Sequence, residues 1–299
     1  MTSCLTMLEF NPTDHFEPST PTETVSLLLE HGKTARVIAG GTAIYELVKR
    51  GMASDIRQLI SLRKLPLNYV RADDEGIHIG TTTTISQLIS SGDRISGPAL
   101  SVVLEALHEI RPVQVRNVAT IGGELCTSLP LLDLPPALLA VDATAIIFGP
   151  KGQRACPTSE FLVDLFLNAL KRGEFLLEVL IPNQPERCAS AFMKFGRTAY
   201  DFNLVNVATR LAFSNNGTCS DARIVLGGVG RVPIRAKSAE DELLGHLLDD
   251  ARILRASDSL GEFRAIPQIH GSVEYKRHIA KVLIRDSVKL ILERTELTK

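Results

Sequence analysis

The chain has 299 residues, enough for two domains that each enclose a hydrophobic core. Its 33 Lys and Arg residues nearly balance 34 Asp and Glu residues, which argues against nucleic-acid binding because such proteins usually carry a basic excess. Hydrophobic residues make up 44%, as in a folded globular protein. The most apolar stretch, residues 134–149, contains two prolines and an aspartate and is too short to cross a bilayer. We therefore expect no transmembrane segment.

The cysteines indicate a reducing compartment. There are five, they are scattered, and no two form a C-x-x-C pair, so the sequence shows no local zinc or iron–sulfur signature. An odd, dispersed set is typical of a protein without disulfides. No basic residue precedes Lys33, so we expect no secretory signal. These features predict a cytoplasmic protein with no metal ligands of its own.

The first predicted elements are a helix, a strand and a second helix. Residues 20–23 read Thr-Pro-Thr-Glu, which predicts a capping box at the start of a helix that ends at Gly32. A short strand is predicted at 36–39. Gly40-Gly41-Thr42 breaks it, and a helix follows at 43–50. The pattern is a strand, a glycine turn and a helix.

The middle of the chain alternates strands and helices. Isoleucines alternate along a predicted strand that ends at Gly80, and residues 84–87 form a second predicted capping box. Apolar residues repeat at helical spacing over 100–110. Two further strands are predicted at 143–148 and 176–181.

The last third favours strands followed by helices. Two strand-like runs, 204–213 and 222–226, are joined through Asn215-Asn216-Gly217, which predicts a hairpin. Helices are predicted from Ser238 to about 248 and from Ser272 to about 293. This order is typical of an α+β domain.

Two glycine pairs are the best candidates for a binding site. They lie in Ala39-Gly40-Gly41-Thr42 and Thr120-Ile121-Gly122-Gly123. Glycine lets the backbone approach a phosphate closely and present its N–H groups, and two such loops can hold a pyrophosphate from two sides. An isolated Gly-Gly pair is more often a plain turn. Complete P-loop, dinucleotide-fingerprint, zinc-protease and nucleophile-elbow motifs are not found, and no catalytic residues are predicted.

The order of several short motifs resembles one family, the FAD-binding (medium) subunits of molybdenum hydroxylases of the carbon monoxide dehydrogenase and xanthine dehydrogenase type. Each motif is weak alone, but their order and spacing are specific over nearly the whole chain. The motifs lie at residues 37–42, 79–84, 115–123, 133–140, 204–208, 227–229, 233–236 and 274–278.

The resemblance implies an α+β fold in two domains. Residues 1–181 are expected to form a two-subdomain FAD-binding domain of the vanillyl-alcohol-oxidase/PCMH type, divided at about 58/59. After a Pro-rich linker at 182–186, residues 187–299 are expected to form a smaller domain with an antiparallel sheet and helices. The implied cofactor of this chain is FAD.

The resemblance also implies which residues bind FAD, with the pyrophosphate between the two glycine loops. The implied contacts are Ala39, Gly40, Gly41, Thr42, Ala43, Ile110, Thr120, Ile121, Gly122, Gly123, Glu124, Asp133, Leu176 and Lys194. On this view a side chain at Gly40 or Gly122 displaces the phosphates and leaves the fold intact.

Four of these residues have an ordinary alternative. Asp133 is implied to accept hydrogen bonds from hydroxyl groups of the nucleotide. Because it precedes two prolines, it is also a plausible helix N-cap. Leu176 is implied to offer its main chain to the flavin edge, or is a buried strand residue. Lys194 is implied to lie near the flavin and to tune its potential, or is a surface lysine. Ile110 is implied to pack near the adenine, or merely ends a helix stripe.

Three positions depart from the family pattern. Asp usually follows the first Gly-Gly-Thr, where this chain has Ala43. Asn usually follows the second Gly-Gly, where this chain has Glu124, and a later Asp is replaced by Leu129. Because a carboxylate near phosphates is unfavourable unless it is paired, we expect Glu124 to turn toward Arg111 or Arg116.

Three functions follow as hypotheses. The first is an electron-transfer subunit that passes electrons from iron–sulfur clusters of a small subunit through FAD to an external acceptor. A large molybdopterin subunit would oxidise the substrate, and the complex would be a dimer of heterotrimers. The second is a stand-alone FAD-dependent reductase of the same fold. The third is an assembly subunit that has lost FAD.

Overall fold

The computed structural model describes residues 10–95, 97–265 and 271–295 of the chain. The described residues form three larger sheets, each with its own helices, and one short two-stranded ribbon. Within these ranges, none of the helices combines the length and the apolar character that crossing a bilayer requires. Cys4 lies outside the described residues.

The first subdomain is a parallel three-stranded sheet with two helices. Its elements are β1 (Asp14–Phe16), α1 (Pro21–His31), β2 (Ala35–Ile38), α2 (Thr42–Lys49) and β3 (Gln58–Ser61), and the sheet order is β1-β3-β2. The predicted helix, strand and helix are confirmed, and Thr20 caps α1 by accepting from the Glu23 N–H. The Glu23 carboxylate, which the predicted capping box directs toward the start of the helix, accepts from the Ser19 N–H at 2.7 Å. β3 ends at Ser61, so this sheet extends past the expected boundary at about 58.

The second subdomain is built on an antiparallel five-stranded sheet. Its elements are β4 (Val70–Ala72), β5 (Gly76–Gly80), α3 (Ile85–Ser90), α4 (Ser101–Glu109), α5 (Val113–Arg116), α6 (Ile121–Thr127), α7 (Leu134–Ala140), β6 (Thr144–Gly149), β7 (Gly152–Pro157), α8 (Thr158–Phe161), β8 (Leu162–Asp164), β9 (Leu167–Asn168) and β10 (Phe175–Pro182). The sheet order is β4-β5-β10-β6-β7, and β8 pairs with β9 in the separate ribbon. The predicted capping box at Thr84 and Gln87 is confirmed at the start of α3.

The main core lies between this sheet and helices α4, α6 and α7. Every residue of α7 is buried, and Ile79, Ile147 and Val179 of the sheet have no exposed surface. Thr84, just before α3, forms an isolated bridge with Thr120, just before α6. This bridge holds the second glycine loop close to the end of β5.

The C-terminal domain is an antiparallel sheet covered by helices. Its elements are β11 (Cys188–Phe195), β12 (Val205–Phe213), β13 (Cys219–Gly227), β14 (Ile234–Arg235), α9 (Lys237–Leu243), α10 (Asp250–Asp258) and α11 (Val273–Arg294), in the sheet order β11-β12-β13-β14. The predicted hairpin and the helix from Ser272 are confirmed. The helix predicted from 238 to 248 is wrong at its end. It stops at Leu243 because the chain turns at Gly245, which has φ +77° and donates its N–H to Cys219.

Helix α4 connects the two domains. The Ser190 hydroxyl on β11 donates toward the carbonyl of Ala99, just before α4, and accepts from the Val102 N–H. The Glu105 carboxylate on α4 accepts from the Phe192 N–H at 2.7 Å. These contacts fix the position of β11, and therefore of Lys194, against the FAD-binding half of the chain.

Candidate cofactor site

Two cavities meet at the two glycine loops. The larger has a volume of about 1050 Å³ and extends along β2 and residues 167–174. The smaller has a volume of about 440 Å³ and lies between α2, α6 and Phe202. Residues that line both cavities are Gly40, Gly41, Thr42, Ala43, Leu47, Gly123, Thr127 and Phe166. The two glycine loops therefore lie together at these cavities, and the predicted binding of FAD between them stays a prediction.

The first glycine loop offers unused donors. Gly41 has φ +76°, a conformation that favours glycine, and it precedes α2 without any side-chain cap. The first N–H groups of a helix have no acceptor within the helix. For Thr42, Ala43 and Ile44, the described part of the chain contains no other acceptor either. The start of α2 thus presents free N–H groups and a positive dipole end to the cavities, which suits an anion.

The second glycine loop has already used its donors. The Ile121 and Gly122 N–H groups donate to the carbonyls of Thr83 and Thr81, each at 3.1 Å. The Gly123 N–H donates to the Thr120 hydroxyl at 3.1 Å. Ile121 is moreover fully buried in the core. The expectation that both loops present free N–H groups to a phosphate is therefore wrong for residues 121–123, whose N–H groups are already paired within the protein.

Two of the glycines are required by the protein itself. A Cβ at Gly40 would lie 1.8 Å from the Val118 carbonyl oxygen, and a Cβ at Gly122 would lie 1.8 Å from the Thr81 hydroxyl. Neither residue has a positive φ. The expectation that a side chain at these positions displaces only phosphates is wrong, because it would first displace the neighbouring chain. Gly123 is different, since its nearest neighbour would be the Thr120 hydroxyl at 3.3 Å.

Asp133 and Lys194 form a buried ion pair. Lys194 Nζ lies 2.7 Å from Asp133 Oδ2, and the two side chains are 7% and 6% exposed. The amides of Asn203 and Asn206 donate to Asp133 Oδ1 at 3.2 and 2.9 Å. Burial raises the pKa of Asp133, while Lys194 and the two amides favour its charged form.

The structure decides between the ordinary interpretations of these two residues: Asp133 is the N-cap residue of α7, whereas the interpretation of Lys194 as a surface lysine is wrong. Asp133 occupies the N-cap position of α7, but its side chain makes no capping hydrogen bond because Lys194 and the asparagines take both oxygens. Lys194 is not a surface lysine, since it also donates to the Glu109 carbonyl at 3.3 Å. Neither residue lines the two cavities, and their contact with FAD stays a prediction.

Glu124 lies in the wall of the smaller cavity. The expectation that it pairs with Arg111 or Arg116 is wrong. Arg111 pairs with Glu109, and within the described residues Glu124 forms no ion pair and its Oε2 is buried without a hydrogen-bond partner. Burial and the nearby charge of Asp133 raise the pKa of Glu124 to about 8, against the opposing effect of Lys194.

Ile110 and Leu176 lie away from the two cavities. Leu176 is 2% exposed, pairs with Ile147 and belongs to the main core. Ile110 follows α4 and packs against the same core. The structure does not bring these two side chains to the glycine loops, and their predicted roles at FAD stay predictions.

Three residues at the site were not predicted from the sequence: Phe166, Asn203 and Asn206. Phe166 lines both cavities with φ +57°, and nothing in the sequence indicates it. Asn203 and Asn206 are more informative in hindsight. They lie in or beside an apolar strand, where a buried amide needs a partner, and that partner is Asp133.

Metal ligation finds no support in the described residues. No group of three or more His, Cys, Asp or Glu side chains there could hold an ion. The four cysteines in those ranges, Cys126, Cys156, Cys188 and Cys219, are all free thiols.

Two family models together match most of the chain. Residues 9–184 match the FAD binding domain in molybdopterin dehydrogenase. Residues 190–290 match the CO dehydrogenase flavoprotein C-terminal domain. The chain therefore belongs to the family of FAD-binding, or medium, subunits of molybdenum hydroxylases, which are oxidoreductases, and it carries an FAD-binding domain.

Known proteins resemble this chain over more than nine tenths of its length. It is 30% identical to the 6-hydroxypseudooxynicotine dehydrogenase complex subunit alpha of Paenarthrobacter nicotinovorans, over 91% of this chain and 92% of that one. It is 28% identical to the carbon monoxide dehydrogenase medium chain of Hydrogenophaga pseudoflava, over 91% and 94%. The solved structure of carbon monoxide dehydrogenase from that organism superposes with a TM-score of 0.89 at 28% identity, covering 95% of this chain and 98% of that one. The predicted fold, family and cofactor are confirmed.

Proposed function

We propose that this chain binds one FAD between its two glycine loops and transfers electrons within a heteromeric molybdenum hydroxylase. Substrate is oxidised at a molybdenum site on a large subunit, and electrons pass through iron–sulfur clusters on a small subunit to this chain and then to an external acceptor. The complex is a dimer of heterotrimers in the cytoplasm.

The observation that carries the proposal is the pair of cavities joined at Gly40–Ala43 and Gly123. A dinucleotide has an apolar ring at each end and a charged diphosphate between them. The two cavities offer room on either side of one shared segment, and that segment contains the free N–H groups of α2. An anion placed there meets donors, while the rings extend into the flanking space.

Each part of the chain has a defined task in this arrangement. The first turn of α2 binds the diphosphate. Gly123, on the opposite side, has no side chain, so the diphosphate can approach the backbone there closely. The Asp133–Lys194 pair and its two asparagines hold the C-terminal domain against the start of α7. Bound FAD supplies an acceptor that can take up and release electrons reversibly.

The attachment of FAD is non-covalent. Within the described residues, the two cavities are lined by no histidine and by a single cysteine, Cys126. Burial raises the pKa of the Cys126 thiol to about 12, so it is not a nucleophile at neutral pH. Flavin is therefore expected in the supernatant after acid precipitation.

Two observations support the proposal of partner subunits: the names of the relatives and the metal ligands found in the described residues. The relatives are named as a medium chain and as a subunit of a complex. In the described residues, no group of three or more possible metal ligands lies together and the four cysteines are free thiols, so we assign the iron–sulfur clusters to a partner subunit. Free thiols are also typical of a reducing compartment, which supports the cytoplasmic location.

The experiment is affinity purification of the tagged full-length chain from its native host, followed by an absorption spectrum and protein identification. The proposal predicts a flavin spectrum and two unequal partners that carry molybdopterin and iron–sulfur clusters. A flavin-containing chain that purifies alone and oxidises a nicotinamide would favour the stand-alone reductase. Partners without flavin would favour the assembly subunit.

A further inference from the structure

The three departures from the family pattern lie in one place. Ala43, Glu124 and Leu129 all line the 440 Å³ cavity. Two positions where the family pattern has an acid are apolar here, and the one amide is replaced by an acid. Five of the ten other side chains that line it are also hydrocarbon: Leu47, Val115, Leu132, Phe166 and Phe202. The Glu124 carboxyl therefore lies in a partly apolar wall of this cavity, where burial disfavours its charged form.

The charged groups around Glu124 do not neutralise it. Lys194, on β11, forms an ion pair with Asp133 at the start of α7, so its charge is paired with that carboxylate and not with Glu124. Across the cavity on α2, Arg50 lies 3.7 Å from Glu46 and is 46% exposed. Glu124 Oε2 is buried and has no hydrogen-bond partner in the described part of the protein. Among the described residues, an ionised Glu124 would have no ion-pair partner, and its Oε2 would have no donor.

We infer that Glu124 holds a proton at neutral pH and donates it as a hydrogen bond to an oxygen of the dinucleotide bound in this cavity, acting as a positioning residue. The inference rests on the proposed function, since it assumes that FAD occupies this site. A protonated carboxyl has an O–H donor, whereas an ionised one only accepts. The neutral acid thus supplies the kind of donor that an amide supplies at this position in the family pattern.

Proton binding then couples to cofactor binding. Burial and Asp133 place the pKa of Glu124 at about 8 in the protein without FAD. The negative diphosphate raises it further, because it disfavours a second negative charge nearby. FAD affinity is therefore constant below about pH 7. It falls above pH 8, where the flavin-free protein must take up a proton to bind, and the dissociation constant is expected to rise about tenfold between pH 7 and pH 9.

The test is the FAD dissociation constant of the full-length chain, prepared free of flavin, from pH 6.5 to pH 9. Glu124→Gln keeps a neutral donor of the same shape but cannot titrate. It should bind FAD about as tightly as the wild type at pH 7 and show no rise at pH 9. Glu186→Gln is the matched control, because Glu186 is exposed on the connection between the domains. It should follow the wild-type profile.

Calorimetry in buffers of different ionisation enthalpy gives a second readout. At pH 9 the wild type should take up nearly one proton for each FAD bound, and Glu124→Gln should take up none. A wild-type affinity independent of pH, or no proton uptake, would overturn the inference while leaving FAD binding intact. So would a Glu124→Gln variant that binds more than tenfold weaker at pH 7. A wild-type chain that binds no FAD at any pH would overturn the proposed function as well.

Discussion

Lys194 shows how one side chain can have a structural task at a predicted cofactor site. It is bonded to Asp133 and to the carbonyl of Glu109 at the end of α4, so it joins three elements from both domains. Removing one partner of a buried pair leaves an uncompensated charge, which costs far more than the net value of the pair. The first effect of losing Lys194 should therefore be on stability, ahead of any effect on a flavin potential.

We expect Lys194→Met to lower the free energy of unfolding by about 3 to 5 kcal/mol, since Asp133 is left buried without its cation. The double variant Lys194→Met/Asp133→Asn should recover most of this loss, because no charge then remains to be stabilised. Urea unfolding at pH 7 measures all three proteins. A loss below about 1 kcal/mol in the single variant would show that the pair contributes little.

Glu124 should give the flavin-free chain a characteristic pH dependence. Its pKa is about 8 in the folded protein and 4.5 in an ordinary environment. Between these values the folded state holds a proton that the unfolded state has lost, so stability falls as pH rises, by up to about 1.4 kcal/mol per pH unit. Below the window both states are protonated, and above it both are ionised.

Glu124→Gln should remove this slope. The difference in unfolding free energy between the variant and the wild type should grow in favour of the variant from pH 5 to pH 8, as measured by urea unfolding without FAD. A difference that stays constant over this range would mean that Glu124 ionises normally in the folded chain.

At the scale of elements, the sequence is most informative where one residue must end or turn the chain. Thr20, Thr84 and Ser272 cap α1, α3 and α11 in the structure, and each was indicated by local residue types alone. Strand β11 was not predicted, because its run of small and apolar residues has no alternation of apolar and polar side chains. It becomes a strand by pairing with β12 along its whole length.

The hairpin between β12 and β13 depends on Gly217. Its φ is +83°, a conformation that costs other L-residues about 1 to 2 kcal/mol. Gly217→Ala should therefore lower the unfolding free energy by about 1 kcal/mol. Gly217→Asn should lower it less, because asparagine tolerates the left-handed region. Equal losses in thermal or urea unfolding would show that space, and not backbone conformation, decides at this position.

The candidate site was predictable only in part, for a physical reason. The glycine loops are local motifs, and their residues were named from the sequence. The partners of Asp133 lie 61, 70 and 73 residues away along the chain, so only the tertiary fold brings them together. The clash at Gly40 likewise comes from Val118 in the other subdomain. A local sequence pattern therefore predicts where the loops of a site lie, but it does not predict which charged residues of different domains will pair.

At the scale of the whole molecule, the candidate cofactor site lies where the two subdomains and the C-terminal domain meet. The first subdomain supplies the free donors of α2, and the second supplies α6 and the Glu124 wall. The C-terminal domain supplies Lys194 behind that wall and is held in place by the contacts of Ser190 and Glu105. A ligand that fills both cavities therefore contacts residues from both subdomains, and its binding should stabilise their packing.

The most direct test of this arrangement is the FAD content of a Gly123→Val variant. Gly123 lines both cavities, and a Cβ there lies 3.3 Å from the Thr120 hydroxyl, which must shift by a few tenths of an ångström, a far smaller displacement than the 1.8 Å contacts at Gly40 and Gly122 require. Gly92→Val is the control, because nothing lies within 4 Å of a Cβ there and Gly92 lines neither cavity. We expect one FAD per chain in the wild type and the control, and at least a tenfold weaker affinity in Gly123→Val, with unfolding midpoints of the flavin-free proteins close to one another. Full flavin content in a folded Gly123→Val protein would contradict the placement of FAD between the glycine loops.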